Sequence, residues 1–208
     1  MNIHFIGIGG IGLSALAKLM LTQGHTISGS DMVSTKITQG LEKLGIHISI
    51  PHTSEAIMNQ DIIIYSAAVQ GNNVELIEAQ KRGLTILTRK EAIEKILKDK
   101  KVYSVCGAHG KSTTTAMLAA IMGSSTLVGA EAKEFGSNCR ALNDSLMVFE
   151  ADESDGSFLS SNPHCAIVTN CEPEHMEFYN YDYDKFYEAY THFLNIATIR
   201  VINADDPF

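Results

Sequence analysis

No run of apolar residues reaches the ~18 that a membrane-crossing helix needs, so no stretch reads as a membrane span. A basic excess is missing too: the formal net charge is −8. That argues against generic nucleic-acid binding and against a polybasic membrane patch. The first residues carry no basic cluster and enter a strand directly, so no secretory signal is legible. Cysteine is sparse, and Cys106, Cys139, Cys165 and Cys171 show no C-x-x-C spacing. Such spacing suits reduced thiols in a cytoplasm. Cys165, Cys171 and His175 match no zinc ribbon or finger, and Cys165 falls in an apolar, strand-like run. What is present is a chain of 208 residues, 45% hydrophobic and 19% charged. That describes a soluble globular protein with room for one large domain or one and a half ordinary ones.

The organising stretch runs from Val102 to Thr115. A β-branched run, Val102 to Val105, leads into Gly107-Ala108-His109-Gly110-Lys111-Ser112-Thr113, and Thr113 to Met122 then reads as a helix. Strand, glycine loop and helix in that order make a phosphate-binding loop. Successive backbone N–H groups form an anion nest, and the helix turns its positive end to the same place. In such a loop Lys111 reaches the β/γ-phosphates and the Ser112 hydroxyl ligates Mg²⁺. The long pattern G-x-x-x-x-G-K-[ST] is not met, because Val105 stands where its first Gly belongs; the shorter G-x-x-G-K-S is present.

A second glycine motif lies near the start. Asn2 to Ile8 is apolar and rich in β-branched residues, and it overlaps Gly7-Ile8-Gly9-Gly10-Ile11-Gly12. Leu13 to Gln23 follows as a helix, with Leu13, Leu16, Ala17, Met20 and Leu21 on one face. Gly24 sits where a C-cap belongs, and the strand Thr26 to Ser30 ends in Asp31. A G-x-G-x-x-G between strand and helix, with an acid about 20 residues on, is the dinucleotide fingerprint. The glycines admit a pyrophosphate and the acid accepts from a ribose hydroxyl, so the motif reports a ribose diphosphate without specifying nicotinamide. A helix N-cap is the competing role for Asp31.

The alternation continues: helix Lys36 to Leu44, strand Ile46 to Ile50, strand Asp61 to Tyr65, helix Asn73 to Arg82, strand Leu84 to Leu87, helix Lys90 to Lys98. Strands alternating with helices imply an α/β fold with a Rossmann-like parallel sheet covered on both faces. Ser66-Ala67-Ala68 follows a strand end, where ligands sit in such sheets, which makes Ser66 a candidate contact. The polar break Asp99-Lys100-Lys101 places a domain boundary between residues 99 and 100. Beyond it the phosphate loop opens the first part of a P-loop α/β domain spanning 100–208.

Thr126 to Gly129 reads as a short strand, and Glu131 to Asn143 as irregular. Leu146 to Phe149 is a strand running into Glu150-Ala151-Asp152-Glu153-Ser154-Asp155. An acid at the tip of a buried strand beside a phosphate loop supplies a further Mg²⁺ ligand. Glu150, which ends the strand directly, is favoured over Glu153; a solvated acidic turn is the plainer reading. Ala166 to Thr169 is another strand, ahead of Asn170-Cys171-Glu172-Pro173-Glu174-His175. His175 draws a metal role only from its neighbours, since a lone His is commonly a satisfied loop residue. Tyr183 to Leu194 reads as an aromatic-rich helix serving the core, and Thr198 to Ile202 as a last strand.

Gly7-Ile-Gly9-Gly10-Ile-Gly12, Gly29-Ser-Asp31, Gly107 to Thr113, Glu150 to Asp155 and Thr169 to His175, in that order, resemble the Mur ligase family. The resemblance implies three domains in a family member: one for the UDP-sugar, a central ATPase domain and a C-terminal domain. This chain covers the first and the front part of the second, so a fragment inactive alone is expected. The implied activity is ATP-dependent ligation of L-alanine to the lactyl carboxylate of UDP-N-acetylmuramate through an acyl phosphate, in the cytoplasm. The implied catalytic residues are Lys111, Glu150 and His175, with Ser112, Glu150 and His175 holding Mg²⁺. Gly107, Ala108, His109, Gly110, Lys111, Ser112 and Thr113 would bind ATP. Gly7, Gly9, Gly10, Gly12, Asp31, Ser66, Asn138 and Arg140 would meet the sugar nucleotide. Family members more often carry Thr at the Ser112 position. Some carry a carbamylated lysine in the helix after the His motif; Phe186 to Leu194 contains no lysine, so that role is not assigned. The resemblance specifies no oligomeric state.

Two other readings compete. A nicotinamide-dependent oxidoreductase fits the first glycine motif and Asp31 but leaves Gly107 to Thr113 unexplained. A non-catalytic nucleotide-binding module fits the missing third domain.

Overall fold

The computed structural model describes residues 1–142, 145–154 and 156–207. Asn143, Asp144, Asp155 and Phe208 lie outside the described residues. The chain forms two compact units, Met1–Ile93 and Glu94–Phe208.

The first unit alternates β1 (Asn2–Ile6), α1 (Ile11–Thr22), β2 (Thr26–Ser30), α2 (Lys36–Lys43), β3 (His47–Ser49), β4 (Ile62–Tyr65), α3 (Val74–Lys81) and β5 (Thr85–Thr88). The helix α4 (Arg89–Leu97) follows and carries the chain across into the second unit. The strands pair in the order β3-β2-β1-β4-β5, all parallel. Ile3, Phe5 and Ile6 of β1 and Ile63 and Ile64 of β4 are buried, as a sheet shielded on both faces requires. Leu13 to Ala17 of α1 are all buried, so the apolar face is wider than the stripe read from the sequence. At about 1.5–3 kcal/mol per fully buried large apolar side chain, these contacts outweigh the modest helix propensity of the segments. The strand order reverses at β1, and the crevice beyond the ends of β1 and β4 is where ligands settle in such sheets.

The second unit holds β6 (Lys101–Cys106), α5 (Lys111–Met122), β7 (Ser125–Ala132), β8 (Ser137–Arg140), β9 (Leu146–Glu150), β10 (Cys165–Val168), α6 (Tyr183–Asn195) and β11 (Ile199–Ile202). Its sheet runs β11-β10-β6-β9-β7-β8. All pairs are parallel except β7–β8, which is antiparallel, so the sheet is mixed. The segment Glu131 to Asn143 is therefore not irregular throughout. β7 extends to Ala132, Gly136 turns with φ +59°, and Ser137 to Arg140 return as β8. Ser137-Asn138-Cys139-Arg140 lacks β-branched and aromatic residues, and pairing with β7 overrides that weak local preference.

An aromatic cluster anchors α6. Phe186 and Phe193 are fully buried, with Phe186 4.9 Å from Tyr190 and 5.1 Å from Tyr179, ring centroid to ring centroid. Phe158 joins at 5.3 Å from Phe193. The helix serves the core, as its composition suggests.

Candidate active site

In the second unit the central strand β6 ends at Cys106 and the chain turns through Gly107 at φ +133°. A Cβ there would overlap Thr169 Oγ1 and stand 2.7 Å from the Asn170 carbonyl oxygen, so only glycine fits. Gly110, at φ +80°, is the N-cap of α5 and offers no side chain to the helix end. α2, α3 and α6 are capped instead by Thr35, Asn73 and Asp182. The first N–H groups of α5 have no intrahelical acceptor, and Gly110 leaves them facing the loop.

Three side chains fix this loop. Lys111 Nζ donates to the carbonyls of Gly107 (2.6 Å) and Ala108 (3.3 Å) and to Glu153 Oε1 at 2.9 Å. Thr169 Oγ1 and Asn170 Nδ2 donate to the His109 carbonyl at 2.6 and 2.8 Å, and Asn170 Oδ1 accepts from His109 N–H at 3.0 Å. Thr169 and Asn170 thus clamp the loop from the end of β10, a role that nothing in their residue types announced. Glu153 is buried, and its backbone carbonyl accepts from Tyr179 Oη at 2.8 Å. Burial pushes the Glu153 carboxyl up, and the bond from Lys111 offsets only part of that. Its Oε2 has no hydrogen-bond partner among the described residues.

Glu150, ending β9, takes the other position. Ser112 Oγ donates to Glu150 Oε1 at 3.0 Å, and Gly129 N–H donates to Oε2 at 2.7 Å. A hydroxyl and a carboxylate oxygen side by side are hard oxygen donors of the kind Mg²⁺ takes, and Glu153 is engaged with Lys111 instead. A cleft of about 230 Å³ opens beside Ser112 and Thr113, lined also by Val128, Glu131 and Lys133. With the uncapped helix end and the ammonium of Lys111 drawn over the loop carbonyls, these groups fit a nucleoside triphosphate with its metal.

His175 is exposed, with φ +52°, and its ring makes no hydrogen bond or ion pair among the described residues. The group that does converge is His109 with Glu172 and Glu174, Nε2 lying 3.4 Å from each carboxylate, all on the surface. Cys165, Cys171 and His175 form no such group. Asn138 is buried and Arg140 half-buried on one face of β8.

In the first unit Gly7, Gly10, Asp31 and Ser66 line one cleft of about 350 Å³, together with His52, Val69 and Asn73. Asp31 Oδ2 accepts from Gly9 N–H at 2.8 Å, and Oδ1 from Met32 N–H at 2.7 Å. The carboxylate therefore braces the glycine turn; it is not a helix N-cap, since Thr35 caps α2. Gly9 has no room for a Cβ, which would lie 2.7 Å from Asp31 Oδ2, and Gly12 lies under the Arg89 guanidinium, with Nε 2.7 Å from a Cβ position. α1 starts at N-cap Gly10 without a side-chain cap, as α5 does at Gly110. His52, Asn73 and Arg89 were not legible as site residues: each lies far from the glycine motif in sequence and belongs to no short pattern.

The four cysteines are free, and among the described residues no helix is long and apolar enough to cross a membrane.

Comparison with known proteins agrees over the whole chain. The family model described as "Mur ligase family, catalytic domain" matches residues 2–101, and the one described as "Mur ligase middle domain" matches residues 105–208. The UDP-N-acetylmuramate–L-alanine ligase of Campylobacter curvus is 55% identical over 207 residues, covering 100% of this chain and 48% of that protein. That of Helicobacter pylori (strain P12) is 56% identical over 209 residues, covering 100% and 46%. The solved structure of the UDP-N-acetylmuramate-alanine ligase of Thermotoga maritima, 32% identical, superposes with a TM-score of 0.90 and covers 99% of this chain and 50% of that one. The chain spans about half the length of the curated relatives it matches. By motif order, sheet topology and these matches, the chain belongs to the Mur ligase family.

Proposed function

We propose that the chain carries the sugar-nucleotide-binding and ATP-binding portions of a cytoplasmic ligase that joins L-alanine to the lactyl carboxylate of UDP-N-acetylmuramate. The observation that carries this reading is the pairing of Ser112 with Glu150 beside the Lys111 loop. The two relatives named by that activity supply the substrates. The free cysteines suit a reducing compartment. We place the boundary between the two functional portions at residues 99 and 100.

A carboxylate is a poor acceptor for an amine, because its charge repels the nucleophile and oxide leaves badly. ATP supplies the remedy, a γ-phosphoryl group that converts the carboxylate to an acyl phosphate whose phosphate leaves readily. The residues have a positioning and electrostatic task, with no protein nucleophile required. Lys111 exchanges its loop carbonyls for phosphate oxygens and neutralises charge that grows on the transferring group. The backbone N–H groups from Gly107 to Thr113 cradle the phosphates. Ser112 and Glu150 would hold Mg²⁺, with His175 completing the set. Gly7, Gly9, Gly10 and Gly12 let the backbone approach the diphosphate of the sugar nucleotide, and Asp31 and Ser66 fix its ribose end. Asn138 and Arg140 would contact the sugar.

The test is a thermal-shift titration with ATP–Mg²⁺, UDP-N-acetylmuramate and NADH in parallel. Stabilisation by the first two is expected. Stabilisation by NADH alone would replace this reading with the nicotinamide one.

A further inference from the structure

Beneath the sugar-nucleotide cleft lies a buried carboxylate that the proposed chemistry does not use. Glu75, in the first turn of α3, is fully buried and receives His4 Nε2 at 3.1 Å, Ser30 Oγ at 2.6 Å and Thr53 N–H at 3.1 Å. His52 Nδ1 lies 3.4 Å from its Oε1 and 2.8 Å from Ser30 Oγ. Burial pushes the Glu75 carboxyl up, but the hydrogen bonds from His4 and Ser30, helped by the nearby His4 and His52 rings, outweigh it and leave it below the ordinary value.

The hydrogens in this network follow from counting donors. A carboxylate only accepts, so the single Ser30 hydroxyl hydrogen goes to Glu75. Ser30 Oγ must then accept from His52, which places the hydrogen on Nδ1. The same logic makes His4 donate from Nε2 to Glu75, and a neutral His4 accepts at Nδ1 from Ser28 Oγ at 2.8 Å. In a neutral His52 ring Nε2 is therefore the acceptor. His52 lines the cleft with Gly7, Asp31 and Ser66, and Nε2 has no partner among the described residues.

We propose that Glu75 is a positioning residue that locks His52 as its Nδ1–H tautomer, so that Nε2 accepts a hydrogen bond from a hydroxyl or imide N–H of the sugar nucleotide. This rests on the sugar-nucleotide reading of the first unit. Neither residue belongs to the glycine motif, and both act on specificity: a neutral acceptor at this place selects a donor and disfavours a bare phosphate oxygen.

The experiment is ¹⁵N-histidine NMR of the intact protein, with and without UDP-N-acetylmuramate, beside calorimetric affinities for wild type, Glu75→Gln, Ser30→Ala, His52→Ala and the double variant Glu75→Gln/His52→Ala. In free wild type the His52 signals should report hydrogen on Nδ1, and the Nε2 resonance should move on saturation with ligand. Glu75→Gln should lose that signature and bind about tenfold more weakly, as should His52→Ala, with no further loss in the double variant. Ser30→Ala leaves the carboxylate and should loosen the tautomer in the same direction, which guards against misfolding of Glu75→Gln. Hydrogen on Nε2 in the free protein would overturn the inference. So would an unmoved Nε2 while the Gly7 and Gly9 amides shift, or an undiminished effect of Glu75→Gln on the His52→Ala background. No ligand-induced shift anywhere in Met1–Ile93 would instead overturn the sugar-nucleotide reading, and this inference with it.

Discussion

At the residue scale, the phosphate loop is held ready by groups that a triphosphate would displace. Lys111 is the clearest case, its ammonium shared between two loop carbonyls and Glu153. If the proposed ligase reading holds, Lys111→Ala in the full-length protein should lower kcat by about 10²–10³-fold and change sugar-nucleotide affinity little, because the charge assigned to it develops in the transition state. Steady-state kinetics with separate kcat and KM decides this. Gly107→Ala should abolish ATP binding, since the added methyl strikes Thr169 and the Asn170 backbone at a φ that only glycine adopts freely; calorimetry with ATP–Mg²⁺ measures it. Glu75 makes a pH prediction. Its folded pKa lies below the ordinary 4.5, so its stabilisation is complete above that value and is lost as the pH falls below it. Melting temperatures followed from pH 6 down to about pH 3 should fall less steeply in Glu75→Gln than in wild type. That Lys111, Ser112 and Glu150 come together beside one loop was legible in the sequence, because a strand end and a glycine loop fix where they stand. Glu75, Thr169 and Asn170 were not, because their partners lie 22 to 71 residues away and no local pattern encodes such contacts.

At the element scale, α1 and α5 begin at glycine N-caps where α2, α3 and α6 begin at capping side chains. That gives up local helix stability and leaves N–H groups for a ligand. Most strands and helices of both units were readable within a residue or two, because apolar runs alternate with amphipathic ones; β7 runs three residues beyond the Gly129 end read from the sequence. β8 was not read as a strand at all: its four residues have little strand preference, and the partner β7 makes them one. α6 contributes through its aromatic face, and Tyr179 ties that cluster to the Glu153 backbone. Phe186→Ala should therefore destabilise the second unit by about 3–5 kcal/mol. Chemical denaturation followed by tyrosine fluorescence would show it, and a loss under about 1 kcal/mol would contradict the packing described.

At the scale of the whole molecule, each unit places its glycine motif at the end of a central parallel strand, β1 in one and β6 in the other. The proposed function gives these two places different chemistry: a glycine turn braced by Asp31 for a diphosphate, and a loop carrying Lys111, Ser112 and Glu150 for a triphosphate. Both glycine turns were legible as sequence motifs. The sequence favours Glu150 over Glu153 beside the loop, and the fold adds their separate partners, setting Glu150 against Ser112 and Glu153 against Lys111. The most direct measurement is calorimetric titration of the protein with a non-hydrolysable ATP analogue and Mg²⁺, compared with Lys111→Ala and Glu150→Gln. The expected result is Mg²⁺-dependent binding at one site, weakened in both variants, with UDP-N-acetylmuramate still bound. Nucleotide binding unaffected by either variant, or displaced by UDP-N-acetylmuramate, would contradict it.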